Sequence, residues 1–136
     1  MNQEMLKQAV ADSGACYAIY WACDESKGVL KAVQHYNPPE RIAELKAKLG
    51  TDDVFASEAY KYEIPVGKGA VGRVYASKQA ESFEDVTTLP ADTFVRSEVA
   101  AKYGIKSVAM KAAHGGVLEV GNTEVWSSFD WVSSEN

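Results

Sequence analysis

Two cysteines and two histidines are all that the 136 residues contain of those types, and this scarcity removes several kinds of chemistry. Two cysteines cannot build a disulfide framework, so the composition fits a reducing compartment. Cys16 and Cys23 fall on one expected strand at an odd separation. At ~3.3 Å per residue they point to opposite faces and stand roughly 23 Å apart. They can neither pair nor share a metal ion. They read as inert core thiols, with covalent attachment of a chromophore to one of them left open. His35 and His114 have no Cys, Asp or Glu at ligand spacing, so no zinc site is expected, although a lone histidine leaves axial haem ligation open. No Ser-His-Asp, Cys-His or Gly-x-Ser-x-Gly arrangement is legible. Asp24–Glu25 and Glu84–Asp85 are adjacent carboxylates, which on a strand point to opposite faces and make poor acid/base pairs.

Positive charge is also short. Fourteen Lys and Arg stand against 19 Asp and Glu, for a net charge of −5, with no basic patch of the kind that neutralises phosphates. Nucleic acid is therefore not an expected partner. No apolar run approaches the ~20 residues needed to span a bilayer. The first fifteen residues include Glu4, Lys7 and Asp12, so they lack the apolar block of a secretory signal. The expectation is a soluble, cytoplasmic chain forming a single domain over residues 1–136, with an organelle as the open alternative. An apolar content of 46% suffices for a sizeable core.

What is present begins with periodicity. Met5, Leu6, Ala9 and Val10 recur at helical spacing before Gly14, predicting a helix over residues 2–13. Ala15–Cys23 alternates as a strand, with Tyr17, Ile19, Trp21 and Cys23 on one side and Cys16, Ala18, Tyr20 and Ala22 on the other. A polar turn leads into a second strand over Val29–Tyr36, necessarily antiparallel to the first. Asn37-Pro38-Pro39-Glu40 predicts a capped helix with Ile42, Leu45 and Leu49 buried and Gly50 as its stop. Residues 51–58 are ambiguous, and Tyr60–Val66 alternates as a third strand. A glycine turn and a short helix over Val71–Lys78 follow, then a strand over Glu81–Val86. Asp92 is expected to cap a helix bearing Val95, Val99 and Tyr103 and ending at Gly104. Ile105–Ala113 and Gly116–Gly121 form a hairpin across His114-Gly115. Val125, Phe129 and Val132 suggest a final helix. Two hairpins separated by helices indicate an α+β domain with an antiparallel sheet of five to six strands.

Gly67-Lys68-Gly69-Ala70-Val71-Gly72 matches the Gly-x-Gly-x-x-Gly of dinucleotide-binding folds, with Glu84 and Asp85 downstream. The following helix is short, the flanking hairpins are antiparallel, and a dinucleotide crevice needs parallel strands. The glycines are therefore read as a tight turn with close helix–sheet packing, and no NAD is expected. Lys68, lying between glycines, does not fit a phosphate loop either.

Tyr60, Tyr62, Tyr75, Phe83, Phe94 and Tyr103 all fall in elements expected to cover one sheet face. Most read as core. If part of that face is open, Tyr62, Tyr75, Phe83, Phe94 and Met110 with Arg73 and Arg96 would suit a planar or anionic small ligand. The aromatic C-terminal segment around Trp126, Phe129 and Trp131 either covers the sheet or, beside the first helix, forms a homodimer surface.

The order of these pieces resembles the GAF family. Ile64-Pro65-Val66 precedes the glycine turn, Asp85-Val86 follows it, a helix ends in Gly104-Ile105-Lys106-Ser107, and a hairpin carries Gly116-Val117-Leu118-Glu119-Val120-Gly121. The closing segment through Asn122-Thr123-Glu124 is similar to the GAF-like amino-terminal domain of plant basic helix-loop-helix regulators. The resemblance, over residues 15–124, implies a ligand pocket or cryptic cavity on one face and dimerising helices on the other. It departs from the bilin-binding, cyclic-nucleotide-binding and free-methionine-sulfoxide-reductase patterns, since residues 81–103 hold no Cys, no Asn-Lys/Phe/Asp-Glu signature is found, and Cys16 and Cys23 lie in another element. A non-enzymatic small-molecule sensor or regulatory domain is the resulting expectation. The alternative is an adaptor or dimerisation module with a closed pocket, and an enzyme such as a GAF-type reductase stands a distant third.

Overall fold

The computed structural model describes residues 2–50 and 54–124. Six strands form its sheet: β1 (Tyr17–Asp24), β2 (Val29–Tyr36), β3 (Ile64–Pro65), β4 (Glu81–Phe83), β5 (Ser107–Ala113) and β6 (Gly116–Asn122). Their order is β3-β2-β1-β6-β5-β4, and every neighbouring pair is antiparallel. The expected α+β class and antiparallel sheet stand.

Both faces of the sheet are covered, which is why β1 is buried along most of its length. On one face lies α1 (Gln3–Ser13), whose N-terminus is capped by the Asn2 side chain accepting from the Met5 amide. Its stripe of Leu6, Ala9 and Val10 packs on Ala18, Tyr20, Leu118 and Val120, the helical spacing meeting the strand alternation as anticipated. On the other face, Tyr17, Ile19 and Trp21 join Val108, Met110 and Val117 beneath α3 (Phe55–Glu58), α4 (Gly69–Ser77) and α5 (Ser97–Tyr103). The helix α2 (Pro39–Leu49) lies at the margin of that face.

Several expectations are corrected. Asn37 does not cap α2: Pro38 stands at the cap position, and the Asn37 amide donates instead to the Cys16 carbonyl at 3.2 Å. Nor is the α2 stripe buried. Ile42 and Leu49 are each 38% exposed, and Leu45 alone packs against the core. The third strand shrinks to Ile64–Pro65, because α3 runs directly into a 3-10 turn at Ala59–Lys61 that ties the Tyr62 amide to the Ala59 carbonyl. The fourth ends at Phe83, since the Asp85 carboxylate accepts from the Thr87 amide and hydroxyl and bends the chain into another 3-10 turn. Asp92 caps nothing, for α5 begins only at Ser97; the Thr93 and Phe94 amides both bond the Pro90 carbonyl in a run of turns. The expected helix over Val125–Val132 lies outside the described residues.

The glycine segment is a turn beneath an antiparallel sheet. The Gly67 amide bonds the Gly72 carbonyl at 2.9 Å, Gly67 and Gly69 have φ of 83° and 58°, and α4 starts within the motif.

The imidazole of His35 on β2 shares a 2.9 Å hydrogen bond with the Tyr60 hydroxyl and meets that ring edge-on. Burial holds its pKa below the ordinary 6.5. A lowered histidine pKa means that protons bind the unfolded chain preferentially, so stability falls as pH drops through 6.5 and the penalty is complete below the folded value. Asp24, Glu58, Glu63 and Asp85 are instead held below their ordinary values, chiefly by hydrogen bonds to Ser26, Lys61, Lys31 and Thr87. Their contributions are present above the ordinary carboxylate range and fade only as pH falls through the lowered values. Urea midpoints should therefore decline gently from pH 7 to 5.5, and His35→Gln should flatten that slope. A slope unchanged in the variant would assign it elsewhere.

Candidate functional site

The expected ligand-facing residues sit in the covered face, and the structure shows how each is occupied. Phe94, Arg96 and Met110 are fully buried; Tyr62, Tyr75 and Phe83 pack against the same core. Arg73 is committed to Glu81, with Nε 3.0 Å from Oε2 and Nη2 2.7 Å from Oε1, and its remaining donors reach the Asp92 and Thr93 carbonyls. The two guanidiniums proposed for an anion therefore already face carboxylates. Tyr75 is covered by the Lys78 ammonium, 4.0 Å from the ring centre.

The second pairing lies at the heart of the fold. Glu119, on β6 and 0% exposed, has an acid group where strand alternation calls for an apolar side chain. Arg96 reaches it from the turn before α5, with Nη2 2.6 Å from Oε1 and Nη1 3.2 Å from Oε2. Trp21 Nε1 donates to Oε1 at 3.0 Å and the Tyr17 hydroxyl to Oε2 at 2.5 Å. Each carboxylate oxygen thus accepts two bonds, which is what a buried carboxylate requires. The guanidinium stands about 5 Å from the rings of Trp21, Phe55 and Phe94, positions of cation–π attraction. One defect remains. Arg96 Nε is buried and has no acceptor, a desolvation penalty of roughly 1–3 kcal/mol. Burial, and then the Glu119 charge, push the Tyr17 hydroxyl well above its ordinary pKa, so it stays a donor.

Beside this cluster opens a cleft of about 360 Å³, between α2, the start of β1 and the end of α5. Its floor is apolar: Tyr17, Phe55 and Ile105, with the Tyr17 and Phe55 rings edge-to-face at 5.2 Å. Its rim carries Arg41, Lys48 and Lys106, of which Arg41 is paired with Glu44 at 3.3 Å. Asn37 also lines it, with a buried side-chain oxygen that lacks a donor. Cys16 lines it too, but burial pushes its thiol up to about 11, far from a nucleophile's range. The arrangement can hold a small molecule with an apolar body and an acidic end. Among the described residues it presents no positioned acid/base pair.

None of the residues expected at the ligand lines this cleft; Tyr17 and Phe55 link it to the Arg96 cluster. Sequence reading passed over Glu119, Trp21 and the rim cations. A usable signal existed for the first: a carboxylate inside Val117-Leu118-Glu119-Val120, on a strand flanked by apolar neighbours.

Among the described residues no helix is long and apolar enough to cross a membrane. No protein-family model and no curated protein matches the chain. Solved structures do resemble it. NreA from Staphylococcus aureus, mutated in its nitrate-binding site, aligns at TM-score 0.65 and 14% identity over 98% of this chain and 91% of that one. The free methionine-R-sulfoxide reductase from Neisseria meningitidis, in complex with its substrate, gives 0.60 and 15% over 94% of this chain and 64% of that one. The GAF domain of a phosphoenolpyruvate-protein phosphotransferase from Coxiella burnetii gives 0.59 and 14% over 88% of this chain and 64% of that one. The chain thus spans less than two thirds of the last two proteins. At these identities the likeness shows the fold, and that fold is GAF-like.

Proposed function

We propose that this chain is a non-enzymatic small-molecule-sensing or regulatory domain whose ligand, an anion with a planar or apolar body, enters the cleft between α2 and β1. The observation that carries this reading is the cleft itself: an apolar, aromatic floor under a rim bearing Lys48 and Lys106, neither of them in an ion pair among the described residues. Pockets of roughly 300–1,000 Å³ with a few convergent polar groups are typical of ligand sites. The GAF-like neighbour mutated in a nitrate-binding site gives the same fold a precedent for anions. Orientation follows from the chemistry. The acidic end meets the rim ammonium groups, a donor on the ligand meets the Asn37 oxygen, and the body lies on Phe55 and Ile105.

Thermal unfolding with aromatic carboxylates (benzoate, anthranilate, 2-naphthoate) tests this. Ligand at a hundredfold excess over Kd adds about 2.7 kcal/mol, and Lys48→Glu with Lys106→Glu should abolish that gain. A gain that survives in the double variant rejects the cleft. Native mass spectrometry and an absorbance spectrum of protein from its own source would identify a retained ligand.

One observation favours a second reading, an adaptor whose pocket is closed. The aromatic face is filled by Phe94 and Arg96 from its own chain. In that case no carboxylate shifts the transition, and the partner surface includes the face bearing α1, where a homodimer is proposed. Deleting residues 124–136 should then convert a dimer to a monomer in solution, and a monomer both before and after rejects this reading.

A further inference from the structure

We infer that the acid and three rings around Arg96 form a cation-binding site that the chain keeps filled with its own guanidinium, and that the segment Pro90–Arg96 is the gate over it. Truly hydrophobic filling would need no charge here, yet β6 places Glu119 fully buried at the floor and β1 supplies Trp21 and Tyr17 as its donors. Phe55 and Phe94 complete three walls of π surface around the guanidinium. A carboxylate backed by aromatic faces is the chemistry that recognises guanidinium, amidinium or alkylammonium groups.

The occupant is tethered by a segment of unusual construction. Between Pro90 and Ser97 the backbone makes turns instead of a helix, and only Phe94 and Arg96 of Pro90–Arg96 are buried. Two arginines hold it shut. Arg73 from α4 grips the Asp92 and Thr93 carbonyls while braced by Glu81, and Arg96 plugs the cage. The plug is also an imperfect guest, because its Nε–H is buried without an acceptor. An amidinium, carrying carbon where arginine carries that N–H, would bond Glu119 with the same fork and bring no counterpart of the stranded Nε–H. The ligand class follows: a small amidinium or alkylguanidinium, chemically opposite to the anion of the neighbouring cleft, and independent of that reading.

Ethylguanidinium, the fragment that Arg96→Ala removes, is the probe. Wild type should respond weakly, because its apparent affinity is reduced by the fraction of molecules with the gate open. Arg96→Ala should bind the probe at least about tenfold more tightly, seen as a rise in unfolding temperature over an equal concentration of sodium chloride. Arg96→Ala with Glu119→Gln should lose that rise. Arg73→Ala, which frees the gate with Arg96 in place, should fall between wild type and Arg96→Ala. A folded Arg96→Ala that ignores the probe overturns the proposal, as does a double variant that responds equally. If Arg96→Ala fails to fold, Arg73→Ala decides: a response above wild type supports the gate, and one equal to wild type refutes it.

Discussion

Glu119→Ala is expected to lose about 3–5 kcal/mol of folding stability, the range found when one partner of a buried ion pair is removed. The loss has three sources in the structure. Arg96 would be left as an uncompensated charge at 1% exposure. The Trp21 indole N–H and the Tyr17 hydroxyl would lose their acceptor, and a void would open at the centre of the sheet. Glu119→Gln keeps the volume and one acceptor oxygen but turns an amide toward the Arg96 fork, so it should fall between wild type and the alanine variant. The contrasting case is removal of both charges. Arg96→Met with Glu119→Leu leaves no buried charge unpaired, so it should be less destabilised than Glu119→Ala, with the stranded Trp21 and Tyr17 donors as its remaining cost. Urea unfolding of wild type, Arg96→Met, Glu119→Leu and the double variant gives the coupling directly. A double variant as unstable as the sum of its singles would show that the pair does not act as a unit.

The same cluster explains what the sequence could and could not reveal. Alternation along Tyr17–Asp24 and the paired strands around His114-Gly115 were legible because strand period and turn chemistry are local. His114 and Gly115 both adopt positive φ, at 50° and 78°, as a two-residue hairpin turn requires. Local capping was less dependable. Asn37 reads as an N-cap, yet the carbonyl of Cys16, 21 residues earlier, claims its amide. Asp92 reads as a cap, yet the backbone beyond it must stay open so that Arg96 can reach Glu119. Tyr60–Val66 reads as a strand because its aromatics alternate, while the actual packing gives Tyr60 to His35 and Tyr62 to the core. The site was hidden for a different reason. Glu119 meets Arg96 across 23 residues and Tyr17 across 102, and a charged residue seen alone reads as solvated. The cleft draws its lining from five separated stretches of chain. Arg73 and Arg96 were singled out as anion-binding arginines beside aromatics, and both face carboxylates of their own chain. Their counter-ions, Glu81 and Glu119, were invisible until the sheet brought them together.

The glycine motif supplies the other large effect. A methyl group on Gly72 would fall 2.2 Å from the Pro65 carbonyl oxygen and 3.1 Å from the Gly67 nitrogen. Both are backbone atoms of the turn that closes on α4, so no side-chain rotation relieves the clash. Overpacking of this kind costs roughly 1–3 kcal/mol where the core can adjust, and Gly72→Ala should sit at or above the upper end because β3 must move with the turn. Gly69→Ala should be milder. Its φ of 58° adds about 1–2 kcal/mol of left-handed strain, and the nearest atom to a new methyl is a Val95 side-chain carbon at 2.8 Å, which can yield. Gly67→Ala meets nothing within 4 Å and carries the conformational penalty alone. The predicted order of destabilisation is Gly72, then Gly69, then Gly67, read as thermal midpoints. A pyrophosphate cradle predicts a different pattern, in which substitution leaves stability nearly intact and NAD stabilises the wild type only. Packing at α4 predicts the ranked loss with NAD absent, because Gly72 is the point where helix and strand touch.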